Sequence, residues 1–253
     1  IVKRDTSVLY YDCSNFYFES EQPDEDVTDD VTGEILKGMR QYGFSKEHRP
    51  NPIVEMGLFM DSRGIPITMC LHPGNTSEQL TAIPLEKEVM KMLPSAKFIY
   101  CADAGLGSYN IRKFNSMGGR AFIVTQSIKK MSDVLKQSVF NDYDYRLLSN
   151  DKPVTVAEMK SFDRFNEKNI KQYNDFAYKV IEADKVLDLG LYEDVTLKNG
   201  RTVKRKAKGV LKQRIIITFS RKVMEYQRAV RSRQIERAKK LLESKDPEEI
   251  KKG

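Results

Sequence analysis

Two apolar runs in this chain stop at an aspartate. Val8-Leu9-Tyr10-Tyr11 leads into Asp12, and Phe98-Ile99-Tyr100-Cys101-Ala102 leads into Asp103. Short runs rich in branched and aromatic residues predict buried strands. If the two strands lie side by side and parallel, both carboxylates emerge at one carboxyl edge of the sheet, where open α/β sheets place their sites. Close carboxylates repel, and a shared hard cation relieves that repulsion. Mg²⁺ suits oxygen ligands, keeps several waters and brings substrate phosphates with it. Each aspartate also has an ordinary explanation, Asp12 as an Asx-turn and Asp103 as a loop residue accepting from nearby amides. Histidine occurs only at His48 and His72, which argues against a zinc hydrolase.

The elements that must position this pair follow from patterning. Residues 6–13 read as a strand, and the acidic stretch 19–34 as an exposed loop. Residues 53–60 and 65–71 flank the turn Asp61-Ser62-Arg63-Gly64 and predict a hairpin, with Pro66 near a strand end. Ser77 can cap a helix carrying Leu80, Ile83, Leu85 and Val89 on its apolar positions. A strand over 97–101 follows, then a helix over 109–117 capped by Ser108 and ended by Gly118-Gly119, then a strand over 121–125. A hairpin followed by helix-separated strands implies an α/β chain with a mixed sheet covered by helices. Residues 126–175 are polar and partly helical (131–139 and 156–165). Residues 176–219 alternate like β-hairpins around the Asn199-Gly200 turn, and 220–244 form a basic amphipathic helix.

The 253 residues, 40% hydrophobic and 31% charged, suffice for one large domain or two small ones. The expected division is a core over 1–125, an insertion over 126–219 that is partly helical then β-rich, and a basic helix over 220–253. No apolar run approaches the roughly 20 residues of a membrane span, and no leader is visible, so the expectation is a cytoplasmic protein without a membrane partner. Cys13, Cys70 and Cys101 read as reduced core thiols. Residues 1–50 carry 6 Lys/Arg against 11 Asp/Glu, whereas residues 201–253 carry 18 against 6. The basic group Arg201, Lys204, Arg205, Lys206 and Lys208 suits phosphate contacts, or is a solvated basic face.

Five motifs occur in order: Asp12 followed two residues on by a hydroxyl (Ser14), GFSKEHRPNP at 43–52, LFMDSRGIPI at 58–67, HPGNTSE at 72–78, and CADAGLGSYN at 101–110. As an ordered set they resemble a DDE transposase of a bacterial insertion sequence, from the insertion-sequence-four group. The resemblance covers residues 6–125 well and the remainder loosely. It implies a ribonuclease-H-like (retroviral-integrase-like) core with a β-rich insertion, in which Asp12 lies on the first strand and Asp103 on the fourth. It further implies two Mg²⁺ or Mn²⁺ ions at these catalytic acids, and phosphoryl transfer that cuts transposon ends and joins them to target DNA. Double-stranded DNA would be the partner, bound by a homo-oligomer, with Lys46 and Arg49 in a loop able to touch phosphates. Asn110 would orient the loop after Asp103.

The chain departs from the pattern in two places. The family places Thr where Ser14 stands, which keeps the hydroxyl. The third acid belongs in a Tyr/Arg/Glu/Lys signature, and the nearest material is Tyr226, Arg228, Arg231, Arg233, Glu236 and Lys240, at the wrong spacing. The chain begins at Ile1 and ends within a charged run, so the expectation is a piece of a longer protein. The third acid is then Glu236 or a residue beyond Gly253, and this piece is nearly inert alone. The alternative is a nucleic-acid-binding module derived from a transposase, without catalysis. An aspartate-nucleophile phosphatase would want Asp where Ser14 stands.

Overall fold

The computed structural model describes residues 4–94, 97–182, 189–209 and 211–244. In chain order the elements are β1 (Val8–Tyr17), β2 (Val27–Thr28), β3 (Ile35–Leu36), β4 (Ile53–Met60), β5 (Pro66–Pro73), α1 (Glu78–Met92), β6 (Ile99–Ala102), α2 (Tyr109–Asn115) and β7 (Ala121–Val124). They continue with α3 (Asp133–Phe140), β8 (Tyr145–Leu147), β9 (Pro153–Val154), α4 (Val156–Ser161), α5 (Ile170–Asn174) and β10 (Ala177–Glu182). The last are β11 (Tyr192–Thr196), β12 (Thr202–Lys206), β13 (Arg214–Phe219) and α6 (Arg221–Ser244). The chain is a mixed α/β protein that gathers into two compact units, one of residues 1–132 with 185–211, the other of 133–184 with 212–253.

The first unit is built on a five-stranded mixed sheet in the order β5-β4-β1-β6-β7. β1 pairs antiparallel with β4 and parallel with β6, and β6 pairs parallel with β7. Alternation along β1 explains its central place. Leu9, Tyr11 and Cys13 point into the core, whereas Tyr10, Asp12 and Ser14 are exposed on the other face. The core side collects Phe59 from β4, Tyr100 from β6, Ala82, Leu85 and Val89 from α1, and Ile111 from α2. The α1 contributions are spaced three and four residues apart, as one buried helix stripe requires. Tyr11 stacks on Phe59 with ring centroids 4.7 Å apart, and its hydroxyl, buried here, bonds Thr81 of α1. Apolar residues stand exposed on the opposite face (Tyr10, Met69, Leu71 and Ile123), so among the described residues the expected helical cover is found on the core side only.

β1 also runs further than the sequence pattern indicates. Asp12 does not end the strand, because pairing with β4 continues past it, from Asp12↔Leu58 to Tyr17↔Ile53. A hairpin partner satisfies the backbone through a polar stretch that would otherwise be loop.

The second unit holds a separate four-stranded sheet, β13-β10-β8-β9, whose small core includes Tyr145, Leu147, Met159 and Ala177. The expected β-rich segment 176–219 is therefore shared. β10 and β13 pair with each other in the second unit, while β11 and β12 form a hairpin that belongs to the first. That hairpin turns at Asn199-Gly200 with Gly200 at φ 79°, a conformation open to glycine. α6 is the basic helix expected from composition, and its Glu225 accepts from the Tyr173 hydroxyl of α5 at 2.7 Å.

Candidate active site

β1 and β6 pair in parallel through Val8↔Ile99, Leu9↔Tyr100 and Tyr10↔Cys101. Two residues past the Tyr10↔Cys101 pair come Asp12, still within β1 and on the face opposite the core, and Asp103, one residue beyond the end of β6. Asp12 and Asp103 are thus equally offset from the last paired residues of two adjacent parallel strands, and both are exposed. Each uses one oxygen locally. Asp12 Oδ1 accepts the Cys13 amide at 2.8 Å, and Asp103 Oδ1 accepts the Gly105 and Leu106 amides at 2.9 and 3.2 Å. The other oxygen of each carries no hydrogen bond among the described residues. Asp103 therefore shapes its own loop and still keeps one oxygen without a hydrogen bond among the described residues.

Two further motifs reach the same place. Ser77 caps α1 in extended conformation and puts Glu78 in the first helical turn, where a carboxylate suits the positive helix end. The Lys46 ammonium pairs with Glu78 Oε1 at 3.1 Å and bonds the Cys13 carbonyl of β1. Partial burial pulls this lysine's pKa down, but the hydrogen bond and charge of Glu78, and then the charge of Asp12, outweigh it and hold it above the ordinary lysine value. On the other side, α1 is tied to the Asp103 loop, because Gln79 Nε2 donates to the Gly105 carbonyl at 2.7 Å. Gly105 leaves room there: a side-chain carbon on it would sit 3.2 Å from Asp103 Oδ1 and 3.9 Å from Glu78 Oε2.

The loop that carries Lys46 is fixed from beneath. The Lys46 amide donates to Asn15 Oδ1 at 3.3 Å, and Asn15 Nδ2 donates to the Phe44 carbonyl at 3.1 Å and to Glu55 Oε1 at 3.4 Å. Glu55 is buried in β4, with Oε2 lacking a hydrogen-bond partner. Burial raises its pKa, the Asn15 hydrogen bond opposes the rise, and the charge of Glu78 adds to it.

Other sequence candidates fall differently. Ser45 is buried and its Oγ accepts the Arg49 amide at 3.1 Å, so it closes the turn. Arg49 lies over the Tyr17 ring at 4.6 Å and pairs with Glu47 at 3.4 Å, at the surface. The Thr76 amide donates to the Pro73 carbonyl at 2.8 Å, so this residue shapes the turn before α1. Asn110 reaches away from the Asp103 loop and donates to the Asp194 carbonyl of β11 at 3.3 Å, pinning the insertion hairpin to α2. On that hairpin Arg201, Lys204, Arg205, Lys206 and Lys208 are all exposed. Lys204 borders a groove whose other walls include Ala104 beside Asp103, Ser108, Arg112 and Lys130.

Glu78, Gln79, Glu55 and Asn15 were absent from the sequence candidates. Only Glu78 had a readable signal, as the last residue of HPGNTSE, where its place in a helix cap hid any other role. Glu236 lies exposed on α6 in the second unit. Among the described residues, no group of three or more His, Cys, Asp or Glu side chains is spaced to hold a metal ion. The open oxygens of Asp12 and Asp103 are hard donors, which fits a divalent cation completed by water or phosphate.

No protein-family model and no curated protein matches the chain. Two solved transposase structures resemble parts of it. A Mos1 transposase paired-end complex with left transposon end is 15% identical over 47% of this chain and 34% of that one, with a TM-score of 0.30. A piggyBac transposase synaptic complex with hairpin DNA is 15% identical over 56% of this chain and 28% of that one, with a TM-score of 0.36. This chain thus spans well under two thirds of either. Among the described residues, no helix is long and apolar enough to cross a membrane.

Proposed function

We propose that this chain is the catalytic portion of a DDE-type DNA transposase, of the insertion-sequence-four kind, with a ribonuclease-H-like core. The observation that carries the reading is that Asp12 on β1 and Asp103 just past the neighbouring parallel strand β6 are equally offset from the Tyr10↔Cys101 pair, both exposed and each with an oxygen free of hydrogen bonds among the described residues. β1, which carries Asp12, and β6, which Asp103 follows by one residue, are the first and fourth strands of the five-stranded sheet in chain order. A hard divalent ion such as Mg²⁺ or Mn²⁺, held by Asp12 and Asp103, would neutralise phosphate charge and activate a water or a 3′-hydroxyl. A second ion would call on a third acid.

The protein's own share is geometric. Asp12 is fixed by the β1–β4 ladder, and Asp103 by two amides of its own loop. The exposed basic edge of the β11–β12 hairpin, with the groove from Lys204 to Ala104, gives a DNA backbone a charged path toward Asp103. The substrates are then transposon ends and target duplex, engaged by a homo-oligomer.

Calorimetric Mn²⁺ titration of the wild type against the Asp12→Asn/Asp103→Asn double variant tests the reading. Saturable binding that the double variant loses supports one shared site. Equal binding by both proteins, or none by the wild type at millimolar Mn²⁺ in the presence of DNA, overturns it.

A further inference from the structure

Resting on that reading of the site, we propose that Lys46 is a catalytic residue, donating to a non-bridging oxygen of the phosphate under attack, and that Glu78 positions it. An ammonium has three N–H donors. Two are committed, to the Cys13 carbonyl and to Glu78 Oε1 at 3.1 Å. The third has no partner among the described residues, and the side chain retains 44% of its exposure. The Cys13 carbonyl is one residue from Asp12, so the charge is delivered to the rim of the aspartate pair. Glu78 stands between Lys46 and the Asp103 loop, facing Gly105, and its neighbour Gln79 grips the Gly105 carbonyl.

A lysine held for stability alone has no need of this location. Its ion pair is with Glu78, both side chains partly exposed, and such a pair contributes little to folding. The arrangement makes sense when negative charge arrives and grows, as it does on the oxygens of a phosphate under in-line attack, where a preorganised donor is most effective. In the step itself a water oxygen forms a bond to phosphorus as the P–O3′ bond breaks. The water loses a proton to solvent, the departing 3′-oxygen gains one, and Lys46 keeps its own throughout. The Asn15–Phe44 and Asn15–Glu55 bonds hold the loop, so the lysine is placed by the fold before substrate arrives.

The test uses the full-length protein and 5′-labelled duplexes taken from the DNA bordering its coding sequence. Single-turnover cleavage at saturating DNA is compared for wild type, Lys46→Met, Lys46→Arg, Glu78→Gln and Asp12→Asn, with thermal melting and Mn²⁺ affinity measured on each. Lys46→Met should cut about 100- to 1,000-fold more slowly with DNA affinity nearly unchanged, and Lys46→Arg should recover most of the loss. Glu78→Gln should cost about tenfold and add nothing to Lys46→Met, as expected of residues acting as a unit. Removing a cation beside Asp12 should also tighten Mn²⁺ binding severalfold in Lys46→Met, a change that a purely structural lysine would not produce. If Lys46→Met cleaves at the wild-type rate while Asp12→Asn is dead, the role of Lys46 falls and the site reading stands. If Asp12→Asn also cleaves normally, the site reading falls with it. Should Lys46→Met lose only DNA affinity, with cleavage restored at saturation, the lysine is an ordinary phosphate anchor and the proposal is overturned. Should Lys46→Met melt early, Lys46→Arg decides: full stability with slow cleavage supports the catalytic role, and full stability with normal cleavage and unchanged Mn²⁺ affinity overturns it.

Discussion

Helix α1 carries two carboxylates eight residues apart that meet opposite fates. Glu86 is fully buried, accepts from Asn115 Nδ2 at 2.9 Å, and faces Arg120 at 3.6 Å, a separation too long for a hydrogen bond. Burial pushes its pKa up to about 7, against the opposing pull of Asn115 and Arg120. Glu78, at the first turn, remains partly exposed and is paired with a lysine beside Asp12. The more strongly perturbed acid is the one deep in the helix packing, where it links α1 to α2. Asp12 and Asp103, the acids proposed to do chemistry, are exposed and each keep an oxygen open. A shifted pKa marks desolvation, and desolvation serves packing as readily as catalysis.

The largest separation between the two regions is expected from single substitutions. Asp12→Asn or Asp103→Asn should lower DNA strand cleavage by at least about 1,000-fold while leaving the melting temperature and DNA affinity close to wild type. Glu86→Ala should do the reverse, losing roughly 3 kcal/mol of stability because Asn115 loses a buried acceptor and Arg120 the carboxyl it faces. Its residual folded fraction should retain Mn²⁺ affinity. Denaturant melts and metal titrations on the same preparations would expose any mixing of these signatures.

A smaller effect separates the regions by pH. Glu86 has a raised folded-state pKa, so its neutral form favours the folded state. Its contribution is complete below the ordinary carboxylate pKa, near 4.5, and is lost as pH rises through about 7. Unfolding free energy should therefore fall across this window by about 2–3 kcal/mol in the wild type, and Glu86→Gln should flatten the dependence. A profile that Glu86→Gln leaves unchanged would place the titrating group elsewhere. The smallest effect belongs to the insertion hairpin. Arg205→Ala or Lys206→Ala should reduce the slope of log K for DNA against log salt by about one each, without changing the cleavage rate at saturation. An unchanged slope would remove that residue from the DNA path.

The elements around the site were largely legible. The hairpin at 53–71, the Ser108 cap of α2 and the turn at Asn199-Gly200 come from local rules, in which a side chain satisfies backbone groups a few residues away, and α1 starts at Ser77 as expected although that side chain makes no capping bond. The ends of elements were less so. β1 outruns its apolar pattern because a strand 40 residues later pairs with it, and β10 and β13 leave the hairpin between them because their partners lie in another sheet. Asn110, expected to orient the loop after Asp103, instead binds a hairpin carbonyl 84 positions away.

The sequence by itself determined the two strand-borne aspartates, the ordered motifs and the mixed α/β order, because these follow from alternation, capping and residue type over short spans. Only the tertiary structure decided that β1 and β6 are parallel neighbours, with Asp12 and Asp103 equally offset from their last pair. It also decided that Lys46, from a loop, and Glu78, from a helix start, meet beside them. Register and loop closure depend on contacts between residues dozens of positions apart, and nothing in the local pattern of either partner encodes which of its neighbours the fold will bring near.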